Sequence, residues 1–524
     1  MKLSKNSLLF VGTLALSLLL GSSPAFAAPT IFNSISDGEW RGDPAPLPWA
    51  IVSGGGDHSF PVAGDTANLA GHTVSLSQDE SVAFLNVFGD LLSFNGGRLT
   101  VTGGGSWSRG AMTNGTLENL GLPFALTPAA VLTLSANFQN RGRVNHTGSA
   151  QFVINPGAAL ENLSGGVLDL QADASILAGS GAGPSPQIAN LGVLMKTGSG
   201  VSTLGEGCFL DNAGTMEVRA GTLRIDAGID QFFNGLLGGG TWKVYTNATL
   251  DCGFGSIRTN AASIILDGSN ATFPNTSGLA RNQGHFSLLN GAMFISSGAL
   301  ENAGILEVGN GSLLALLGNL TQTAGGQISG DGSVEAFFVN DGLVNPGRPV
   351  GVLTVGQDFV QTASGQVTIE IGGTNAGTQY DQLNVRNTAV FEGALQITLL
   401  NGFLPRPGDQ FRIVNYNSHT GAFATIQGAD LGPDLILFPS YQNDGLTLVA
   451  MPPQITFTAP VRTPDDFSFA FQTYAGLTYT VEYTDTLTPP DWQWLDQFVG
   501  DGSMVVIIDG FLYEPQRFYH VLVK

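Results

Sequence analysis

The chain has 524 residues, of which only 12% are charged, with 72 glycines, 32 phenylalanines and a formal net charge of −21. Apolar residues are plentiful enough to build cores, which excludes disorder driven by charge. The balance of 20 basic against 41 acidic residues repels phosphate backbones and anionic lipid, so neither nucleic acid nor a membrane surface is an expected partner.

Residues 1–27 read as a secretory signal. Lys2 and Lys5 supply the positive start, Leu8 to Leu20 the apolar run, and Ala25-Phe26-Ala27 the small-x-small site before a cut at Ala28. Gly21, Ser22, Ser23 and Pro24 end the run short of the roughly 18 apolar residues that a membrane anchor needs, and no second run of that length follows. The mature chain is therefore expected to be secreted or held at a cell surface, with no transmembrane segment. Residues 28–64 form a leader rich in Gly, Pro and Trp, holding Trp40, Trp49 and Gly54-Gly55-Gly56. It is expected to cap the first repeat, because an exposed parallel edge invites pairing with another chain. Arg41-Gly42-Asp43 within it reads as a turn rather than an integrin-recognition tripeptide.

Residues 65–345 repeat one phrase: an Asn, one residue, a Gly, then apolar residues at every second position. It occurs at Asn119, Asn140, Asn190, Asn212, Asn282, Asn302 and Asn340, with a one-residue-longer cousin at Asn162. Steps of 21, 22, 22 and 20 residues alternate with steps of 28, 38 and 70, where the register is lost. A period near 20 built from strands and turns predicts an all-β, parallel β-solenoid, of about thirteen coils and near 60 Å in length at about 4.8 Å per coil. The recurring Asn is read as structural, since Asn tolerates left-handed backbone, bonds its own turn and stacks in ladders; a ligand-reading polar strip is the weaker alternative. Cys208 and Cys252 lie 44 residues apart, two repeat lengths. Stacked on one edge they would sit roughly 9 to 10 Å apart, beyond disulfide reach unless the intervening coil is looped out. Matches to Asn-x-Ser/Thr at Asn114, Asn145, Asn162, Asn247, Asn270 and Asn275 are largely compositional.

Residues 346–451 are more individual, with Gly351-Val352-Leu353-Thr354-Val355, Gly365 to Ile371, Tyr380 to Val385, Leu395 to Leu399 and Pro407 to Ile413. This order of phrases resembles the distal end of the β-helical passenger of bacterial autotransporters, and the upstream repeats resemble the autotransporter-associated β-strand repeats of bacterial surface proteins. The resemblance, over roughly Asn119 to Met451, implies a right-handed parallel β-helix displayed at a cell surface as an adhesin or scaffold, and only sometimes an enzyme. It also implies a translocating barrel, yet no amphipathic strands of that extent follow Met451, so this chain is not expected to translocate itself. Residues 452–524 begin with Pro452-Pro453 as a linker. Thr478 to Asp485, Trp492 to Leu495 and Arg517 to Val521 are similar in outline to small immunoglobulin or fibronectin type III modules, which implies a C-terminal β-sandwich.

Chemistry-bearing motifs are scarce. Six scattered histidines offer no zinc spacing, and neither a Gly-x-Ser-x-Gly elbow nor a Gly-x-Gly-x-x-Gly phosphate loop occurs, so no metal or cofactor is expected. Asp331, Glu335 and Asp341, or Asp211, Glu217 and Arg219, would be the carboxylate sets of a polysaccharide lyase or glycosidase if they shared a solenoid face; a solvated face is the commoner use of such residues. Trp492, Trp494 and Tyr483 would stack on sugar rings if exposed, although paired aromatics more often fill a core. The expectation is a non-catalytic surface solenoid with a structural or adhesive role, touching extracellular polysaccharide or other surface components. A carbohydrate-binding C-terminal module and a carbohydrate-active solenoid face are the alternatives.

Overall fold

The structure is a computed structural model that describes residues 29–42, 48–54, 58–432, 435–452, 455–473, 477–510 and 516–523. Residues 1–27, read above as a secretory signal, Asp43 of the tripeptide and Pro453 of the expected linker lie outside the described residues. The chain is all-β, and a parallel solenoid of about 14 turns occupies residues 66–367.

Each regular coil is three short strands whose residues alternate between buried and partly exposed, because apolar side chains at every second position can all point inward. One coil reads Val193–Lys196, Val201–Leu204 and Phe209–Asn212, and each of these pairs in parallel and in register with its counterpart one coil on. Three columns of strands result. Stacked interior residues such as Leu168, Leu194, Met216 and Trp242 are removed from water, each worth about 1.5–3 kcal/mol for a large apolar side chain. Parallel pairing runs on across Asn345–Pro346 as far as Thr425–Gln427.

The repeated Asn side chains form a buried ladder inside the third corner. Each amide N–H donates to the side-chain oxygen of the next rung, from Asn119 through Asn140, Asn162 and Asn190 to Asn212, at 2.7–2.9 Å. A second run goes from Asn260 through Asn282, Asn302, Gln322 and Asn340 to Gln361, at 2.7–3.3 Å. The register is kept where the sequence pattern suggested its loss. The 38-residue step is two coils with Gln322 as the middle rung, and the 28-residue step carries an excursion between Ser175–Ala178 and Gln187–Asn190. In the 70-residue step, an antiparallel hairpin of Phe232–Phe233 with Leu236–Leu237 interrupts the ladder before Asn260 restarts it.

The ladder residues do not adopt left-handed backbone. That conformation belongs to other asparagines, at Asn95, Asn114, Asn234, Asn247, Asn270, Asn290 and Asn401. The Gly two places after the ladder Asn serves close approach: a Cβ at Gly192 would lie 2.2 Å from the Gly166 carbonyl oxygen, and one at Gly304 2.2 Å from that of Gly284.

At each end of the stack an antiparallel strand is added to one column. Ile31–Ser34 pairs in parallel with Thr66–Leu69, and Trp49–Ser53 adds to it antiparallel, anchored by the buried, edge-on Trp40–Trp49 pair. At the other end Gln410–Asn415 pairs antiparallel with Gly445–Met451, which pairs with Ile436–Tyr441. Beyond it stand two three-stranded antiparallel sheets. One holds Thr458–Arg462, Phe467–Gln472 and Met504–Asp509; the other holds Gln493–Val499, Thr478–Thr484 and Phe518–Val523. Phe469, Phe471, Tyr479, Val481 and Ile507 from both sheets form one apolar cluster with Ile436.

Candidate functional site

Several outward-facing charges on the solenoid meet opposite charges close by. Arg143 pairs with Asp169 at 2.5 Å, Arg219 with Glu217 at 2.7 Å, Lys243 with Asp267 at 2.9 Å and Arg348 with Glu307 at 2.7 Å. Of the sets singled out in the sequence, Glu217 and Arg219 do meet, but the carboxylates are not brought together. Asp211 lies in a third-column strand, where Gln231 donates to it at 2.5 Å, while Glu217 lies in a first-column strand. Asp331 follows a first-column strand, Glu335 is in the second column paired with Arg386, and Asp341 follows the third column and accepts from Thr362. Four to six residues of separation carry the chain round a corner, so nearness in sequence puts them on different flanks.

Several titratable groups are buried inside the coils. His146 and Lys196 occupy the same interior column with Leu170 between them, and both are fully buried. Burial lowers His146 to about 4, and the neighbouring backbone of Gly148 offsets this only in part. Burial also lowers Lys196, whose ammonium donates to the carbonyls of Gly198 and Ala172. Asp381 is raised to about 7 by burial, even though it accepts backbone N–H groups from Gly351 and Glu370. All three side chains are almost wholly removed from solvent. Cys208 and Cys252 are both buried free thiols. They do not share an edge: Cys252 ends a second-column strand opposite Ile225, whereas Cys208 precedes a third-column strand. Among the described residues no group of three His, Cys, Asp or Glu is placed to hold a metal ion.

The C-terminal sheets place the sequence-selected aromatics on two faces. Trp494, Glu482 and His520 lie side by side across the sheet, in register. Trp494 is 65% exposed. The Trp492 ring lies flat on the His520 ring, centroids 3.7 Å apart and 17° from parallel, and His520 Nε2 is 2.7 Å from Glu482. Neither tryptophan belongs to the apolar cluster, so core filling is not their use. Tyr483 is one residue past Glu482 and turns to the other face, where the Arg517 guanidinium sits 4.0 Å over its ring, bound to Asp485 and Asp509. Tyr483 also lines a cavity of about 120 Å³ with Thr484, Asp485, Thr486, Asp491 and Gln493. Alternation in Thr478 to Thr484 was the signal that could have separated Tyr483 from the tryptophans and added Glu482 to them. Nothing in the sequence marked His520 as their partner, because the contact joins residues 28 positions apart.

Other sequence features are tied down. Arg41 bonds Glu80 at 2.5 Å and lies over the Phe60 ring. Asn162 and Asn275 are buried and cannot accept a glycan in the folded protein. Among the described residues no helix is long and apolar enough to cross a membrane. No protein-family profile matches the chain, and no curated protein matches it significantly.

Proposed function

We propose that the chain is a non-catalytic solenoid of the extracellular space or cell surface, with a structural or adhesive role. The observation that carries this reading is the use of the polar groups. Interior amides are spent on the ladder, several exterior charges pair with neighbouring charges, and the carboxylates singled out in the sequence lie on different flanks rather than facing one another, as hydrolysis or elimination of a polysaccharide requires. Incubating the full chain with a polysaccharide panel should release no reducing ends and no unsaturated products. Turnover that disappears when a solenoid carboxylate is changed to its amide would overturn the proposal.

A second reading is supported by the exposed Trp494 beside the Trp492–His520 stack: this face binds carbohydrate. Two indole faces with a carboxylate between them match the apolar faces and hydroxyl rims of sugar rings. Retention of the full chain on cellulose or chitin should fall at least tenfold in Trp494→Ala and be unchanged in Tyr483→Phe. Equal retention of Trp494→Ala would remove this reading.

A further inference from the structure

The second column lacks one strand. Between Thr249–Cys252 and Met293–Ser296, the intervening coil carries a short 3-10 segment, Pro274–Gly278, instead of a strand. Pro274 has no N–H to give a sheet, and Asn, Thr, Ser and Gly after it favour local turns. On one side the gap is closed. Leu250 N–H donates to the Thr272 carbonyl, and the Asn275 side-chain amide both accepts from Cys252 N–H at 3.0 Å and donates to its carbonyl at 2.9 Å, as a strand's peptide group would.

On the other side it is open. Met293–Ser296 pairs only with Leu313–Leu316. Leu313 N–H bonds the Ala292 carbonyl and Leu317 N–H that of Ser296, which fixes the even-numbered residues as those facing that neighbour. Met293 and Ile295 therefore turn their N–H and carbonyl groups toward the 3-10 segment, where no hydrogen bond from a described residue meets them. Their side chains are 53% and 64% exposed, and Leu317 beside them is 87% exposed. Next to this edge is a cavity of about 160 Å³ lined by Leu266, Phe273, Pro274 and Phe294 among others.

We propose that this open edge binds an extended peptide segment of a partner, one strand long and apolar at alternate positions. The occupant follows from the unmet groups. Two donors and two acceptors recurring every second residue, about 6.6 Å apart, are complemented by another extended backbone, and the cavity holds one aliphatic side chain of that strand. A second copy of the chain is the less suited occupant, since each copy carries a net charge of −21.

Hydrogen exchange on the full chain tests this, with the capped pentapeptide Thr-Val-Thr-Leu-Thr as probe. Millimolar peptide should slow exchange at the Met293 and Ile295 amides at least tenfold, while amides of Leu313–Leu316 keep their rates. Ile295→Pro removes one outward N–H at an edge position that tolerates proline and should abolish the slowing at Met293; Ile295→Thr should retain it. Unchanged exchange of the unaltered chain at millimolar peptide would overturn the proposal. So would sedimentation showing a dimer that Ile295→Pro dissociates, which would put a second copy on the edge.

Discussion

Single residues inside the coils carry opposing pH dependences. Asp381 has its folded value raised to about 7 against an ordinary 3.8, so folding takes up a proton between these values and Asp381 lowers stability as pH rises through that window. His146 has its folded value lowered to about 4 against 6.5, so its contribution is complete above about 6.5 and is lost as pH falls toward 4. Each amounts to at most about 3–4 kcal/mol and the two largely offset one another between pH 4 and 7. His146→Leu, matching its column neighbours Leu126 and Leu170, should leave a melting temperature that falls from pH 4 to 7. Asp381→Asn should leave one that rises; a flat profile in both variants would refute the assignment. Burial also raises Cys208 to about 11 and Cys252 well above its usual value. Both thiols should resist a disulfide reagent at pH 8 until denaturant is added, and reductant should not change the melting temperature. Sequence spacing put a disulfide out of reach in an undistorted stack but set both cysteines on one edge, because it could not show how the hairpin and excursions shift the phase between corners.

At the level of the element, the amide ladder makes one coil depend on the next. Asn190 receives a bond from Asn162 and gives bonds to Asn212 and the Thr215 carbonyl. Asn190→Ala strands these buried groups and should cost about 2–3 kcal/mol, read as a lower midpoint in urea. Asn302→Gln should cost less than Asn302→Ala, because Gln322 and Gln361 already serve as rungs. Gly304→Ala should destabilise more than an exposed Gly→Ala change, its Cβ meeting the Gly284 carbonyl at 2.2 Å. The strands and most rungs were legible because alternation and the Asn-x-Gly phrase each impose a fixed period. Gln322, Gln361 and Asn260 were not, since a longer amide reaches the same partner and Ala262 stands where the phrase has Gly. The 3-10 segment was equally hidden: Phe273-Pro274-Asn275 reads as one more turn, and only stacked coordinates show that it takes a strand's place.

Taken as a whole molecule, the solenoid stacks about 14 turns, or roughly 65–70 Å at 4.8 Å per turn, before its distal coils and the C-terminal sheets. A globular chain of this length would have a radius of gyration near 24 Å. Small-angle scattering should give a clearly larger value, and agreement with the globular figure would refute the stacked arrangement. The extent of the stack was legible from the repeat period. The relation between the solenoid's last hairpin and the C-terminal sheets was not, because Ile436 joins Phe469 and Phe471 in one cluster across the proline-rich segment.

The strands at the ends of the stack have a further consequence. Trp49–Ser53 runs against the direction of the strand it covers, whereas Ile436–Tyr441, antiparallel to a strand that is itself antiparallel to Gln410–Asn415, again runs in the solenoid's own direction. The two ends are thereby unlike: templating of another molecule's coil is obstructed in one column at the N-terminal end, while Ser418–Gly421 and Thr425–Gln427 finish their columns as parallel strands. Any stacking of one molecule's end on another's would therefore be polar, since the two ends offer different edges.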